Sequence, residues 1–208
     1  GYIRFLKRFL RDMEKPFVEI DTFDIRIWLA KIQQEVSLRT CENYRSYLSA
    51  FYMWLVKEEL IKKNPMDKIT PIKYVEEVKQ SFSDVEIDAI RMCCKKTRDR
   101  AIIELLLCSG IRVSELAALK ISDVDFINKS ALIREAKGGK QRVVYITDVC
   151  SMYLKDYLKT RKDNLDCLFL TKNKTAMTKD SIENSLKTLG KQSGVPNVHP
   201  HRFRRTFA

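Results

Sequence analysis

The chain has 208 residues, 45% of them hydrophobic, enough to bury the core of one large domain or of two small ones. Lys and Arg number 39 against 27 Asp and Glu, a formal charge of +12, and residues 81–208 hold 24 of the basic and 15 of the acidic side chains, so a polyanion, nucleic acid first, is the expected partner. No apolar run approaches the roughly 18 residues of a membrane span, and six cysteines without a C-x-x-C pair, beside only two histidines, argue against a zinc site and for reduced structural thiols of a cytosolic protein.

The apolar and basic pattern from Ile3 to Leu10 reads as a helix already under way, and both ends of the chain read as truncation points. Asp21 followed by Asp24 predicts an N-cap with an acidic first turn, and Ile25, Ile27, Trp28, Leu29 and Ile32 give the following helix an apolar face. Ser37 predicts the cap of a longer helix over 38–60. In it Tyr44, Tyr47, Leu48, Phe51, Tyr52 and Leu55 recur at helical spacing, a stripe that belongs in a core rather than on a base-stacking surface. Arg39, Asn43, Arg45 and Ser46 fall on the opposite, exposed side, as candidates for touching a phosphate backbone or as a solvated polar face. Asn64-Pro65 closes the segment. From Lys68 to Gln80 the periodicity fades, which puts a helical domain at 1–72, a linker at 73–81 and a second domain at 82–208.

Order restarts at Ser83, which forms a capping box with Glu86 ahead of Ile87 and Ile90. The run Ala101 to Leu107 predicts a buried helix ending near Gly110, and a further helix begins around Ser114. Alternating, β-branched stretches at 124–133 and 142–146, with turn residues Asn128-Lys129 and Gly138-Gly139, predict a small antiparallel sheet. Helices follow at about 149–162, at about 178–192 and beyond Pro200. The fold class is therefore mainly α with a small antiparallel β-sheet.

Three groups of residues could carry chemistry. Arg112 stands at a tight junction between two helices, where its planar fork could meet two oxygens of one phosphate or pair with Glu115 as a structural salt bridge. Lys137 opens the Gly138-Gly139 turn, which could swing it over a groove or leave it solvating a hairpin tip, and Lys140 and Arg142 make that tip strongly basic. His201 and Arg204, three apart on a helix starting near Pro200, share a face that joins a proton carrier to a second cationic fork; Phe203 and Phe207 give the segment a core face that a disordered basic tail would lack.

The order R-x-S-E-L at 112–116, K-G-x-K at 137–140 and H-x-x-R at 201–204 resembles the catalytic domain of the tyrosine recombinases, the phage and transposon integrase family. The flanking Ser109-Gly110-Ile111 and Gln141-Arg142-Val143-Val144 extend the match, which covers about 82–208. Residues 1–72 resemble the helical, SAM-like core-binding domain that precedes it, on Ser37-Leu38-Arg39-Thr40 and Trp54-Leu55-Val56.

The resemblance implies a site-specific recombinase whose two domains clamp double-stranded DNA and whose protomers assemble on recombination sites. It implies strand cleavage without metal or other cofactor through a 3′-phosphotyrosyl intermediate. Arg112 and Arg204 then match the two arginines that neutralise the phosphorane, Lys137 the acid for the leaving 5′-oxygen, and His201 the histidine of proton transfer and phosphate contact, while Glu115 orients Arg112. Arg39, Asn43, Arg45, Lys140 and Arg142 are the expected DNA contacts. Two departures stand out. Arg205 occupies a position where many relatives carry histidine, and none of the eight tyrosines follows the H-x-x-R motif, so the nucleophile is expected downstream of Ala208 and these residues alone are not expected to cleave in cis. The competing reading is a DNA-binding regulator that keeps the fold without the chemistry.

Overall fold

The computed structural model describes residues 1–76, 78–134 and 141–208. The chain divides into two compact units, Gly1–Val78 and Lys79–Ala208, with the division inside the expected linker.

The first unit is built on three helices: α1 (Tyr2–Met13), α2 (Thr22–Glu35) and α3 (Leu38–Lys57). Asp21 caps α2 through the N–H groups of Phe23 and Asp24, and Asp24 returns a bond to the Asp21 N–H, closing a capping box. Ser37 caps α3 through the Thr40 N–H. Phe5 and Phe9 of α1 pack with Trp28 and Ile32 of α2 and with Leu48, Phe51, Tyr52 and Leu55 of α3. Most of the aromatic stripe is therefore core, with Tyr44 and Tyr47 packed half-buried at its edge.

Helix α3 stops three residues short of the expected Leu60. Glu59 takes a left-handed conformation (φ 57°) and donates its N–H to Val56 O, and Leu60 donates to Leu55 O, a Schellman turn. That turn usually announces itself with glycine. Here a glutamate occupies the left-handed position, so no local signal marked the end.

The second unit surrounds one helix. After α4 (Asp84–Met92), α5 (Thr97–Ser109) buries Ala101, Ile102, Ile103, Glu104, Leu105, Leu106 and Ser109. Glu104 is tolerated there because Arg91 bonds both of its oxygens at 2.9 Å and Arg100 pairs with it at 2.8 Å. The short α6 (Val113–Ala118) leads to β1 (Val124–Asp125), β2 (Ser130–Ile133) and β3 (Arg142–Tyr145), an antiparallel sheet in the order β1-β2-β3. The expected 124–133 stretch breaks in two at Asn128-Lys129. Asp125 accepts from the N–H groups of Ile127 and Asn128, and Lys129 is left-handed (φ 49°).

Ala131 and Ile133 of β2 face the core, and Ile133 is paired with Arg142 at the start of β3. Helices α7 (Asp148–Lys159), α8 (Lys179–Ser193) and α9 (Pro200–Phe207) complete the unit, and α7 and α9 both pack along α5. Cys41 and Cys150 are fully buried among apolar side chains, as structural thiols would be. Among the described residues no helix is long and apolar enough to cross a membrane.

Candidate active site

The site forms where α5 ends. Gly110 adopts the left-handed conformation (φ 55°, ψ 24°) and returns its N–H to Leu106 O, so the chain leaves the apolar helix abruptly. Two residues later Arg112 sits extended at the N-cap of α6, and Glu115, three positions on, accepts its backbone N–H at 2.8 Å. The Arg112 backbone is thus fixed by the helix it precedes.

Glu115 is only 3% exposed. Burial alone would favour its neutral form, but four donors reverse that balance. Oε1 accepts from Arg112 Nη1 and Arg142 Nη1, both at 2.9 Å, and Oε2 accepts from the Arg112 N–H and from Arg142 Nη2 at 2.7 Å. Against the opposing effect of burial, the Arg142 fork first and then the two Arg112 bonds hold the carboxyl at about 2. Arg112 itself stays partly open, and among the described residues Glu115 is the only partner of its guanidinium.

The second arginine arrives from α9. His199 caps that helix through Nδ1, which accepts the Arg202 N–H at 3.3 Å, and Pro200 fills the first helical position. Burial first, then the neighbouring Arg205 and Arg202 guanidiniums among the nearby groups, push the His199 pKa down and favour the neutral ring with Nδ1 unprotonated, as the cap requires.

Arg202, 7% exposed, anchors α9. It bonds Glu86 at 2.7 Å, Pro196 O at 2.8 Å and Ser81 O at 3.1 Å, and lies 4.1 Å over the Phe82 ring, which also packs on the buried Phe203. With that side of the helix locked, Arg204 reaches the α5–α6 junction and donates from Nη1 to Gly110 O at 2.5 Å. His201 is exposed one turn earlier, and Arg205 bonds Gln80 O at 3.4 Å.

The fold therefore brings Arg112, Glu115, Arg142 and Arg204 to one junction. Lys137 and Lys140 lie outside the described residues. In the first unit Arg39 is exposed and pairs with Glu76 at 2.7 Å, and Asn43 is exposed.

Two arginines read from the sequence as exposed or DNA-facing are engaged elsewhere. Arg45 is half-buried and forks onto Glu42 (Nε to Oε2 2.9 Å, Nη2 to Oε1 2.8 Å), whose carboxylate also takes the Ile72 N–H. Arg142 gives both terminal nitrogens to Glu115. Both departures share a cause: a guanidinium near a poorly solvated carboxylate gains more from a bidentate bond than from water.

Sequence reasoning missed two links in the site: Arg142 to Glu115, and Arg202 to Glu86. The first had a faint signal, since strand alternation puts Arg142 on the same face as the half-buried Val144. The second had none, because Glu86 was already accounted for as a cap.

The phage integrase family pattern matches residues 74–208, and the N-terminal SAM-like domain of phage integrases matches residues 1–62. The chain is 35% identical to the tyrosine recombinase XerC of Bacillus pumilus over all of its own length and 74% of that protein's. It is 32% identical to the tyrosine recombinase XerA of Pyrococcus horikoshii, again over its full length and 70% of the relative's. Its fold resembles the Tn1549 transposon integrase, solved in complex with transposon right end DNA, at a TM-score of 0.82 and 20% identity, covering 99% of this chain and 78% of that one.

Proposed function

Because the chain belongs to the phage integrase family, we propose that it is the greater part of a site-specific recombinase that breaks and rejoins duplex DNA through a 3′-phosphotyrosyl intermediate. The observation that carries this reading is the convergence of Arg112 and Arg204 on the Gly110 junction. Two guanidinium groups at one turn, Arg112 held by the Glu115 carboxylate and Arg204 by the Gly110 carbonyl, suit the extra charge on the non-bridging oxygens of a pentavalent phosphorus.

In this reading a tyrosine contributed from beyond Ala208 attacks the scissile phosphorus. Arg112 and Arg204 bind its non-bridging oxygens, His201 contacts the phosphate and serves proton transfer, and Lys137 protonates the departing 5′-oxygen. Glu115 orients Arg112. The net positive charge supplies the long-range attraction to DNA, with Arg39, Asn43 and Lys140 as phosphate-contacting candidates and self-assembly of protomers on the recombination site. Cytoplasmic action on DNA is part of the same proposal.

Extending the chain through its downstream coding sequence and offering a nicked suicide site should trap a covalent protein–DNA complex. Arg112→Ala and Arg204→Ala should each abolish trapping while keeping much of the DNA affinity. Recombination by both variants at the unsubstituted rate would overturn the assignment.

A further inference from the structure

We infer that Arg142 is a positioning residue for Arg112, acting through Glu115 rather than through DNA. The inference rests on the reading of Arg112 as a phosphate ligand.

The bond is tertiary. Arg142 opens β3 and Glu115 lies in α6, 27 positions earlier, so their contact ties the sheet to the helix junction. Arg142 covers one site on each Glu115 oxygen, at 2.9 and 2.7 Å. Arg112 Nη1 is thereby limited to the remaining site on Oε1, while Oε2 also takes the Arg112 N–H. Arg112 is held by one terminal nitrogen, and its Nε and Nη2 meet no protein partner among the described residues. Those two nitrogens form an edge of the fork able to take two phosphate oxygens.

Charge leads to the same conclusion. Two guanidiniums around one carboxylate leave a net positive charge beside the Gly110 junction. Without Arg142, Glu115 and Arg112 form a neutral pair, and the carboxylate is free to draw the whole Arg112 fork onto itself. Arg112 would then be both misdirected and electrically cancelled. Arg142 also opens β3, so its bonds to Glu115 secure the start of that strand.

The test is a double-substitution cycle in the recombinase extended through its downstream coding sequence. Arg142→Ala should slow single-turnover cleavage by about tenfold or more, with duplex affinity and its salt dependence nearly unchanged. In a Glu115→Gln background, where no carboxylate competes for Arg112, the same substitution should slow cleavage by less than about threefold. Arg142→Lys, which keeps the charge and loses the fork, should fall between, and it carries the same readouts if the alanine variant does not fold.

Equal losses in both backgrounds, or weakened DNA binding with an unchanged cleavage rate, would overturn the inference. Arg112→Ala separates it from the reading on which it rests. If that variant is inactive while Arg142→Ala cleaves normally, only the role of Arg142 falls; if Arg112→Ala cleaves normally, the active-site reading falls as well.

Discussion

Arg204 donates to the carbonyl of Gly110, a residue 94 positions earlier in the chain, and this bond places the second arginine of the site two residues from the first. It requires α9 to lie close against the end of α5. Gly110 permits that approach twice over, by its left-handed backbone and by its missing side chain: a Cβ there would collide with the Phe207 ring.

Gly110→Ala should therefore destabilise the second unit by about 2 kcal/mol or more, about 1–2 from the left-handed backbone and the rest from the clash. Adding Phe207→Ala should recover the steric part and leave the backbone part. Urea unfolding of the two variants measures both, and full recovery by the second substitution would show that the backbone conformation contributes nothing.

Arg202 should matter for stability before it matters for chemistry. Its removal strips a buried partner from two carbonyls and Glu86 and takes a cation from the face of Phe82. Arg202→Ala is expected to cost about 3 kcal/mol in denaturant unfolding, and Arg202→Lys should not restore it, because one ammonium cannot span three acceptors in two directions. Near-native stability of the lysine variant would contradict this account of α9.

The pH dependence follows from Glu115. Its carboxyl sits at about 2 in the folded chain, burial being outweighed by the Arg142 and Arg112 donors, against about 4.3 when unfolded. A lowered folded value adds stability that is complete above the unfolded pKa and is lost as pH falls towards the folded one. Between about pH 5 and pH 2 the chain should lose on the order of 3 kcal/mol from this group. Glu115→Gln should flatten the unfolding free energy over that interval; an unchanged slope would assign the acid sensitivity to other carboxyls.

DNA binding by the first unit should distinguish two arginines of the same helix. Arg39→Ala is expected to weaken duplex binding with little regard to sequence and to reduce the salt slope by about 0.9. Arg45→Ala should leave the slope unchanged and instead lower the melting temperature, since its fork holds Glu42, which in turn holds the Ile72 N–H. A salt titration with a fixed duplex and a thermal melt of each variant decide the matter.

Much of the fold was legible because its signals are local. The Asp21 and Ser37 caps, the Ser83 capping box, the apolar run of α5 and the turn at Asn128-Lys129 each lie within a few residues of what they specify. The end of α3 was not legible, because its left-handed position carries Glu59 rather than glycine.

The order of the arginine, lysine and histidine motifs, the family they mark and the charge that suits DNA are properties of the sequence by itself. Which arginines remain available is not. Arg39, Arg45, Arg112, Arg142 and Arg204 are chemically the same group; helical spacing within α3 gives Arg45 to Glu42, and only tertiary structure assigns Arg142 to Glu115 and Arg204 to Gly110. A guanidinium takes the best-placed acceptor within reach, and for Arg142 and Arg204 that acceptor lies far away in sequence on an element brought close by packing.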